Sequence, residues 1–340
     1  MENVIMSQTL IRAIAAPPAA PITTGAGLYP AWSIDFTSQS PASAGLTFAR
    51  ASAAGSYNAQ GNWVTALNDT LRLSYHPQSQ VPLGFLAEES RTNYLLNSTS
   101  PVTQTVALGT GTYTFWNEGS GSCTCAAGTA VGTGFGTATA GAPVVFTVST
   151  AGSVVFTVSG SPSRFQCENG TTATSFIATG ASAATRAADH CSKSLTNIIN
   201  PAEGTFFVTG SAGKSMLLGL DNGTGDGATR IHIKGATTER NFFCSISNSI
   251  KLTTSDFSTI PVGSKLAMGF SYAASGLQCV INGQKFAVSS TAASGLNVTA
   301  LRIGHRSFVG SQRDYLNNHI TQVSYYTRAL PLEYMQQLTA

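Results

Sequence analysis

The chain has 340 residues, of which 42% are hydrophobic and only 10% charged, with a formal net charge of +3. That length suffices for two or three domains with packed cores, and the charged fraction is well below the roughly 25% of an ordinary soluble domain. The thinly spread Lys and Arg, with no basic run interleaved with aromatics, exclude a nucleic-acid partner. No apolar stretch approaches the ~20 residues of a spanning helix, which excludes insertion into a membrane.

In chain order, the N-terminal segment carries Glu2 where an export leader has a cation. Arg12 breaks its apolar run, and Pro17 and Pro18 end it, so no export signal is expected. Prolines favour extended, unpaired backbone, and residues 1–45 read as an extended anchoring arm. From about residue 31 onward, period-2 patterns punctuated by Gly, Ser, Asn and Pro predict strands and turns, the pattern of an all-β sandwich protein. The segments expected are a linking β segment at 46–97, a small β-sandwich at 98–190, and a larger jelly-roll sandwich at 191–340.

Within residues 143–162, Val144, Phe146 and Val148 face one way, and Val154, Phe156 and Val158 repeat the pattern. This predicts a hairpin turning at Thr150–Ser153. Asn282-Gly283 supplies the positive-φ pair of a type I′ turn and predicts a second hairpin over 277–288. Further strands are predicted at 205–209, 228–234, 265–272, 299–304 and 319–327. Pro331 suits a first helical position, and Leu332, Met335 and Leu338 form a short apolar stripe, predicting one C-terminal helix. Of the six cysteines, Cys123 and Cys125 lie on one face of a strand. No CxxC or zinc-type spacing occurs, so unpaired thiols are expected.

Several segments resemble a known group. FARASAAGSYNAQGNW (48–63), LGFLAEESRTNYLLNS (83–98) and SPSRFQCENGTTATSFIATGASAATRAAD (161–189) are similar to motifs of tailed-bacteriophage tail-appendage and head-fibre proteins. The final domain, 191–340, with EGTFFVTG (203–210) near its start and ITQVSYYTRALPLEYMQQL at the end, resembles a concanavalin-like or laminin-G-like jelly roll. The resemblance implies a structural virion protein, assembled in the bacterial cytoplasm as a fibre, appendage or capsid decoration. Its partners would be capsid, collar or tail proteins and further copies of itself, with a trimer the expected symmetric form. A host-glycan-binding receptor module is the alternative, and a glycan-degrading tailspike a third reading.

The residues that bear on chemistry form three groups. Glu88 and Glu89 are adjacent and on a strand point to opposite faces, unlike glycosidase carboxylates converging across one bond. Arg91 is expected to pair with one of them, and Thr92 and Asn93 to bond backbone, making Glu88, Glu89, Arg91 and Asn93 a structural junction. In DNGTGDG (221–227), Asp221 and Asp226 offer oxygen ligands that suit calcium, although such loops also simply turn a chain. Neither a metal nor another cofactor is required. For glycans, Trp63, Trp116 and Tyr113 are available as platforms. Arg302, His305, Arg313 and Tyr315 in the polar segment 302–319 form either a binding rim or packing. No nucleophile elbow occurs, and GSAGKS (210–215) is too short for a phosphate loop, so no enzymatic activity is expected.

Overall fold

The computed structural model describes residues 29–340 apart from 40, 224–228, 294 and 309–310. The protein is all-β, and every pairing between its strands is antiparallel. A large sandwich has one sheet in the order Gln284–Ser289, Gly276–Ile281, Lys265–Ala273, Gly204–Ser211, Asn318–Tyr326, Pro82–Ala87, Leu73–Tyr75. Trp32–Asp35 pairs with residues 322–325 and Pro82–Ala87 with residues 318–320, so these two strands share one edge of Asn318–Tyr326. The facing sheet runs Thr47–Ala49, His190–Ser194, Ala300–Ile303, Met216–Asp221, Arg230–Gly235, Arg240–Ile246, Ser249–Asp256.

Alternation decides what lies between the sheets. Met268, Phe270 and Tyr272 from one sheet meet Leu218, Leu220, Ile231, Ile233, Leu301 and Ile303 from the other in a single core. The strand Lys265–Ala273 is buried along nearly its whole length because its outer face is covered too. There the helix Leu332–Thr339 seats Met335 against Phe207, Val280, Tyr326 and Leu330. Burying one such side chain contributes about 1.5–3 kcal/mol.

The small sandwich is built on two long strands, Gly111–Ala127 and Gly152–Asn169, paired along most of their length. Each bends midway, at Gly119 and Gly121 (φ +90° and +132°) and at Gly160 (φ +77°), so one pair of strands supplies both layers. A Cβ on Gly121 would lie 2.4 Å from the Ser159 carbonyl oxygen. Phe115 and Phe156 meet edge to face across the resulting core.

Both chain crossings into this sandwich pass through one neck. Arg91–Asn93 leads in, Ala184–Arg186 leads out, and the two pair with Arg91 opposite Arg186. The small sandwich is thus an insertion between Pro82–Ala87 and His190–Ser194, which lie in opposite sheets of the large one.

The predicted strands at 205–209, 265–272, 299–304 and 319–327 appear as Gly204–Ser211, Lys265–Ala273, Ala300–Ile303 and Asn318–Tyr326. Arg230–Gly235 corresponds to the strand at 228–234, whose first residue lies outside the described residues. Asn282 and Gly283 both have positive φ and close the hairpin at 277–288. Pro331 caps the final helix rather than opening it, with an extended ψ of 146°.

Two expectations differ from the structure. Val144–Thr150 and Gly152–Asn169 do not pair with each other as a hairpin; Val144–Thr150 joins residues 111–115, and residues 152–160 join 121–127 and 104–108. Phe146, Val148, Val154 and Phe156 all enter one core, so the chain arches between layers and the repeats face each other instead of lying side by side. Residues 32–35 are a strand and residues 41–44 a short 3-10 helix, and the linking segment supplies Thr47–Ala49, Leu73–Tyr75 and Pro82–Ala87 to the large sandwich. Residues 1–28 of the expected arm lie outside the described residues.

Candidate functional site

At the neck, short strands bring together charged side chains from four distant parts of the sequence. Arg50, Arg72, Glu88, Arg186 and Asp189 are all buried, none more than 2% exposed. Arg50 donates to Asp189 Oδ1 at 3.0 Å, and Arg72 Nη2 bridges Glu88 Oε2 (2.8 Å) and Asp189 Oδ2. Arg186 Nη1 reaches Glu88 Oε2 at 3.0 Å. The Ser175 amide and hydroxyl both donate to Glu88, each at 2.6 Å, and the Glu88 amide donates to Asp189 at 3.0 Å. A further buried carboxylate, Glu168, accepts from the Thr174 amide at 2.8 Å, Gln166 Nε2 at 3.0 Å and Trp116 Nε1 at 3.3 Å. Thr174 in turn links it to Arg186. Three guanidiniums therefore face three carboxylates, an arrangement in which buried charge is compensated. Burial alone would raise the Glu88 carboxyl, but Arg186, Arg72 and the Ser175 donors outweigh it and bring it down to about 2.

Glu89 points away from Glu88 and binds Arg91, Lys214 at 2.7 Å and Asn317 at 2.8 Å. Asn93 is completely buried and meets backbone at both ends of its amide. It donates to the Ile177 carbonyl at 2.9 Å and accepts from the amides of Leu95 and Cys167, each at 3.1 Å. Thr92 instead meets the hydroxyl of Thr185 at 2.7 Å. Sequence reasoning named Glu88, Glu89, Arg91 and Asn93 here, but gave no role to Arg72, Ser175 or Asp189. Arg72 lies between Leu71 and Leu73, just before the strand Leu73–Tyr75, a cation flanked by apolar residues, which was the available signal for a buried arginine.

Beside this network lies a cleft of about 320 Å³ between the two sandwiches. Tyr57, Trp63 and Tyr75 line it half-buried, and the buried rings of Trp116 and Phe176 line it from the small sandwich. The hairpin Ala54–Tyr57/Trp63–Ala66 sets the first two rings in cross-strand register, with centroids 5.1 Å apart. Gly55 lets the Trp63 ring lie against the backbone; a Cβ there would fall 1.9 Å from the ring. Arg164 lies over Trp63 at 4.8 Å and Phe176 at 5.1 Å and reaches Glu118 at 3.4 Å. Tyr57 Oη also donates to Glu118 at 3.4 Å. Ser56, Ser74, Thr174, Asn317, Asn318 and His319 complete the polar part of the lining. Burial holds His319 down at about 4, so it is neutral at pH 7. Apolar rings with a few convergent polar groups make a small-molecule binding site, and the volume falls in the usual range of such sites.

In the segment read as either a binding rim or packing, the rings pack. His305 is 1% exposed and Tyr315 7%, and the two rings stack into one cluster with His190. Arg302 is bound by Asp221 through two nitrogens, at 3.0 and 3.2 Å. Only Arg313 is exposed, with an ion pair to Asp314 at 3.5 Å. Alternation along the strand and the loop after it turns the rings inward, where their apolar bodies are worth more than at the surface. At the loop whose Asp221 and Asp226 offered ligands that suit calcium, oxygens are already engaged. Asp221 is 3% exposed and its oxygens are taken by Arg302 and the Gly223 amide, while Asp226 lies outside the described residues. Tyr113 is a core residue of the small sandwich. Of the aromatics named from the sequence, Trp63 and Trp116 are brought together in the cleft, joined by Tyr57, Tyr75 and Phe176, which were not singled out. All six cysteines are buried and unpaired, and Cys123 and Cys125 share one face towards the core.

No family model matches the chain, and no curated protein matches it. Among solved structures it is similar to the CBM40 of the IT-sialidase of Ruminococcus gnavus, at 13% identity over 43% of this chain and 86% of that one, TM-score 0.37. It is also similar to the NanB sialidase of Streptococcus pneumoniae, at 14% identity over 44% of this chain but only 26% of that one, TM-score 0.37. A heptameric SAP-like pentraxin from Limulus polyphemus aligns at 11% identity over 41% of this chain and 70% of that one, TM-score 0.30. The R. gnavus module has also been solved bound to α2,3 sialyllactose.

Proposed function

We propose that the protein is a non-catalytic glycan-binding attachment protein whose binding site is the cleft between its two sandwiches. The observation that carries this reading is the cleft lining itself: five aromatic side chains, Tyr57, Trp63, Tyr75, Trp116 and Phe176, around a space of about 320 Å³, with Glu118, Asn317 and Asn318 beside them. Sugar C–H faces stack on rings while hydroxyls meet carboxylate and amide oxygens, which is the chemistry this lining offers. The carboxylates present argue for binding without cleavage. Glu88 is held at about 2 and saturated by donors, so it can neither give nor take a proton near neutral pH. That leaves Glu118 as the other carboxylate in the lining, whereas glycoside hydrolysis uses a working pair.

A glycan array probed with the full chain tests this reading, followed by titration calorimetry of whichever sugar is retained. Tyr75→Ala and Trp63→Ala should each weaken binding at least about tenfold, the loss of roughly one aromatic contact. An array without hits, or affinity unchanged in both variants, refutes it. Release of shortened sugars during long incubation refutes its non-catalytic part.

A compatible second reading places the protein on a tailed-phage particle, as the resemblance of residues 48–63, 83–98 and 161–189 implies. What favours it is that those three segments supply Arg50, Glu88, Glu89, Arg91, Asn93, Ser175, Arg186 and Asp189, the residues that join the two sandwiches. The similar motifs thus have one shared task, fixing an inserted sandwich on its carrier. Purified particles lacking the protein should take up the full chain, and failure to do so counts against this placement. A chain lacking residues 1–28 then shows whether that segment makes the attachment.

A further inference from the structure

The cleft continues past the Trp116 ring. A second cavity, of about 340 Å³, is lined by Trp116, Asn117, Glu118, Ala142, Pro143 and Thr174 among others, and it shares Trp116, Glu118, Ala173 and Thr174 with the first. Two spaces with four residues in common adjoin each other and are taken together as one trough, with the Trp116 ring between them.

The charges along this trough are of one sign. Among the described residues, no Lys or Arg lines either cavity, while Glu88 and Glu118 do. Glu88 is sealed beneath Arg72, Arg186 and Ser175. Glu118 is the open one, with its side chain 36% exposed where the two cavities meet. The cation beside Glu118, Arg164, is committed to the Trp63 and Phe176 rings and to Glu118 itself. A carboxylate or sulfate on the ligand would therefore meet Glu118 as a like charge and would have to compete with it for Arg164. A hydroxyl suits the same place, because it donates to the Glu118 oxygens.

We infer that the trough takes an uncharged, linear oligosaccharide, read across both cavities, and selects against acidic sugars through Glu118. This inference rests on the glycan-binding reading of the cleft. The test is calorimetric titration of the full chain with cellohexaose and chitohexaose as neutral probes, a hexagalacturonate as the acidic probe, and a fully deacetylated chitohexaose as the cationic one. Disaccharides of each series report on the second cavity.

A neutral hexasaccharide should bind at least about tenfold tighter than the hexagalacturonate at low salt, and tighter than its own disaccharide. Glu118→Gln keeps the size and an acceptor, and should remove most of the discrimination against the acidic probe, read as the ratio of neutral to acidic affinity. Circular dichroism checks that this half-exposed substitution leaves the fold unchanged. Tighter binding of the acidic or the cationic probe overturns the inference, as does an unchanged neutral-to-acidic ratio in Glu118→Gln or equal affinity of disaccharide and hexasaccharide. If an acidic probe binds and Trp63→Ala abolishes that binding, the cleft reading stands and the inference alone falls. If none of these probes binds, the inference falls; if the glycan array is also blank, both fall.

Discussion

Replacing Glu88 with Gln tests whether the neck network holds the two sandwiches together. The substitution keeps size and one acceptor, so the Ser175 amide keeps its partner on Oε1. The other oxygen, which receives Arg72 at 2.8 Å, Arg186 at 3.0 Å and the Ser175 hydroxyl at 2.6 Å, becomes an NH₂ group facing two guanidiniums. Holding this carboxyl at about 2 instead of 4.5 corresponds to about 3 kcal/mol, at about 1.4 kcal/mol for each pH unit. Breaking one partner of a buried ion pair costs roughly 3–5 kcal/mol by mutation, so both routes lead to about 3–5 kcal/mol at pH 7. The assay is urea unfolding followed by tryptophan fluorescence, since Trp63 and Trp116 flank the neck. The pH dependence carries a sign as well. A carboxyl whose folded value is lowered stabilises the protein above about 4.5, and that contribution fades as pH falls towards 2. The gap between wild type and Glu88→Gln should therefore be full at pH 7 and shrink below 4.5. A gap under about 1 kcal/mol at pH 7, or one undiminished at pH 3, refutes the network's assigned role.

Acid sensitivity should begin earlier than the carboxylates alone would dictate. Burial, with Arg306 and Arg230 for His232 and with His190 and Arg302 for His305, lowers both imidazoles from 6.5 to about 3, and burial lowers His319 to about 4. The unfolded chain takes up these protons first, so stability is full above pH 6.5 and falls steadily between 6.5 and 4. A flat melting temperature across that range counts against neutral, buried histidines. The thiols give a third expectation. Cys123, Cys125, Cys167, Cys191, Cys244 and Cys279 are all buried, and burial raises each thiol's pKa. Ellman's reagent should find none reactive in the native protein and all six after denaturation. A rapidly reacting thiol at neutral pH refutes that packing.

Local rules made much of the fold readable. Asn282-Gly283 specifies its turn by backbone conformation alone, and the strand at 265–272 declares itself by an apolar run with a β-propensity core. The arch at residues 150–152 was not readable in the same way. A period-2 pattern states which face is apolar, not whether the next strand lies beside it or across the core. Both arrangements bury Phe146 and Phe156, and only the pairing of residues 111–127 with both segments decides between them. The insertion was hidden for a related reason. Trp32–Asp35, Thr47–Ala49 and Pro82–Ala87 are short, and what makes them part of the large sandwich is partners far along the chain, at residues 322–325, 190–192 and 318–320.

The candidate site was legible only in part because it lies between units and not on one of them. The polar, aromatic run at 302–319 attracted attention by density, but density says nothing about direction, and the packing of His305 and Tyr315 turned it inward. The cleft draws Tyr57 and Trp63 from one hairpin, Tyr75 from an edge strand, and Trp116 and Phe176 from the inserted sandwich. Thr174 and Ser175 belong to the cleft lining and to the ion network at once, and Glu168 ties the Trp116 indole to the same network. In a chain with 18 basic and 15 acidic residues, the concentration of Arg50, Arg72, Arg186, Glu88, Glu168 and Asp189 at one neck fixes how the two walls of the cleft face each other. A purely apolar neck of the same volume would be no less stable, since buried ion pairs gain little over packed side chains. What directional, charge-assisted bonds add is orientation, because each guanidinium accepts few geometries. A cleft walled by two sandwiches depends on that orientation more than on additional stability.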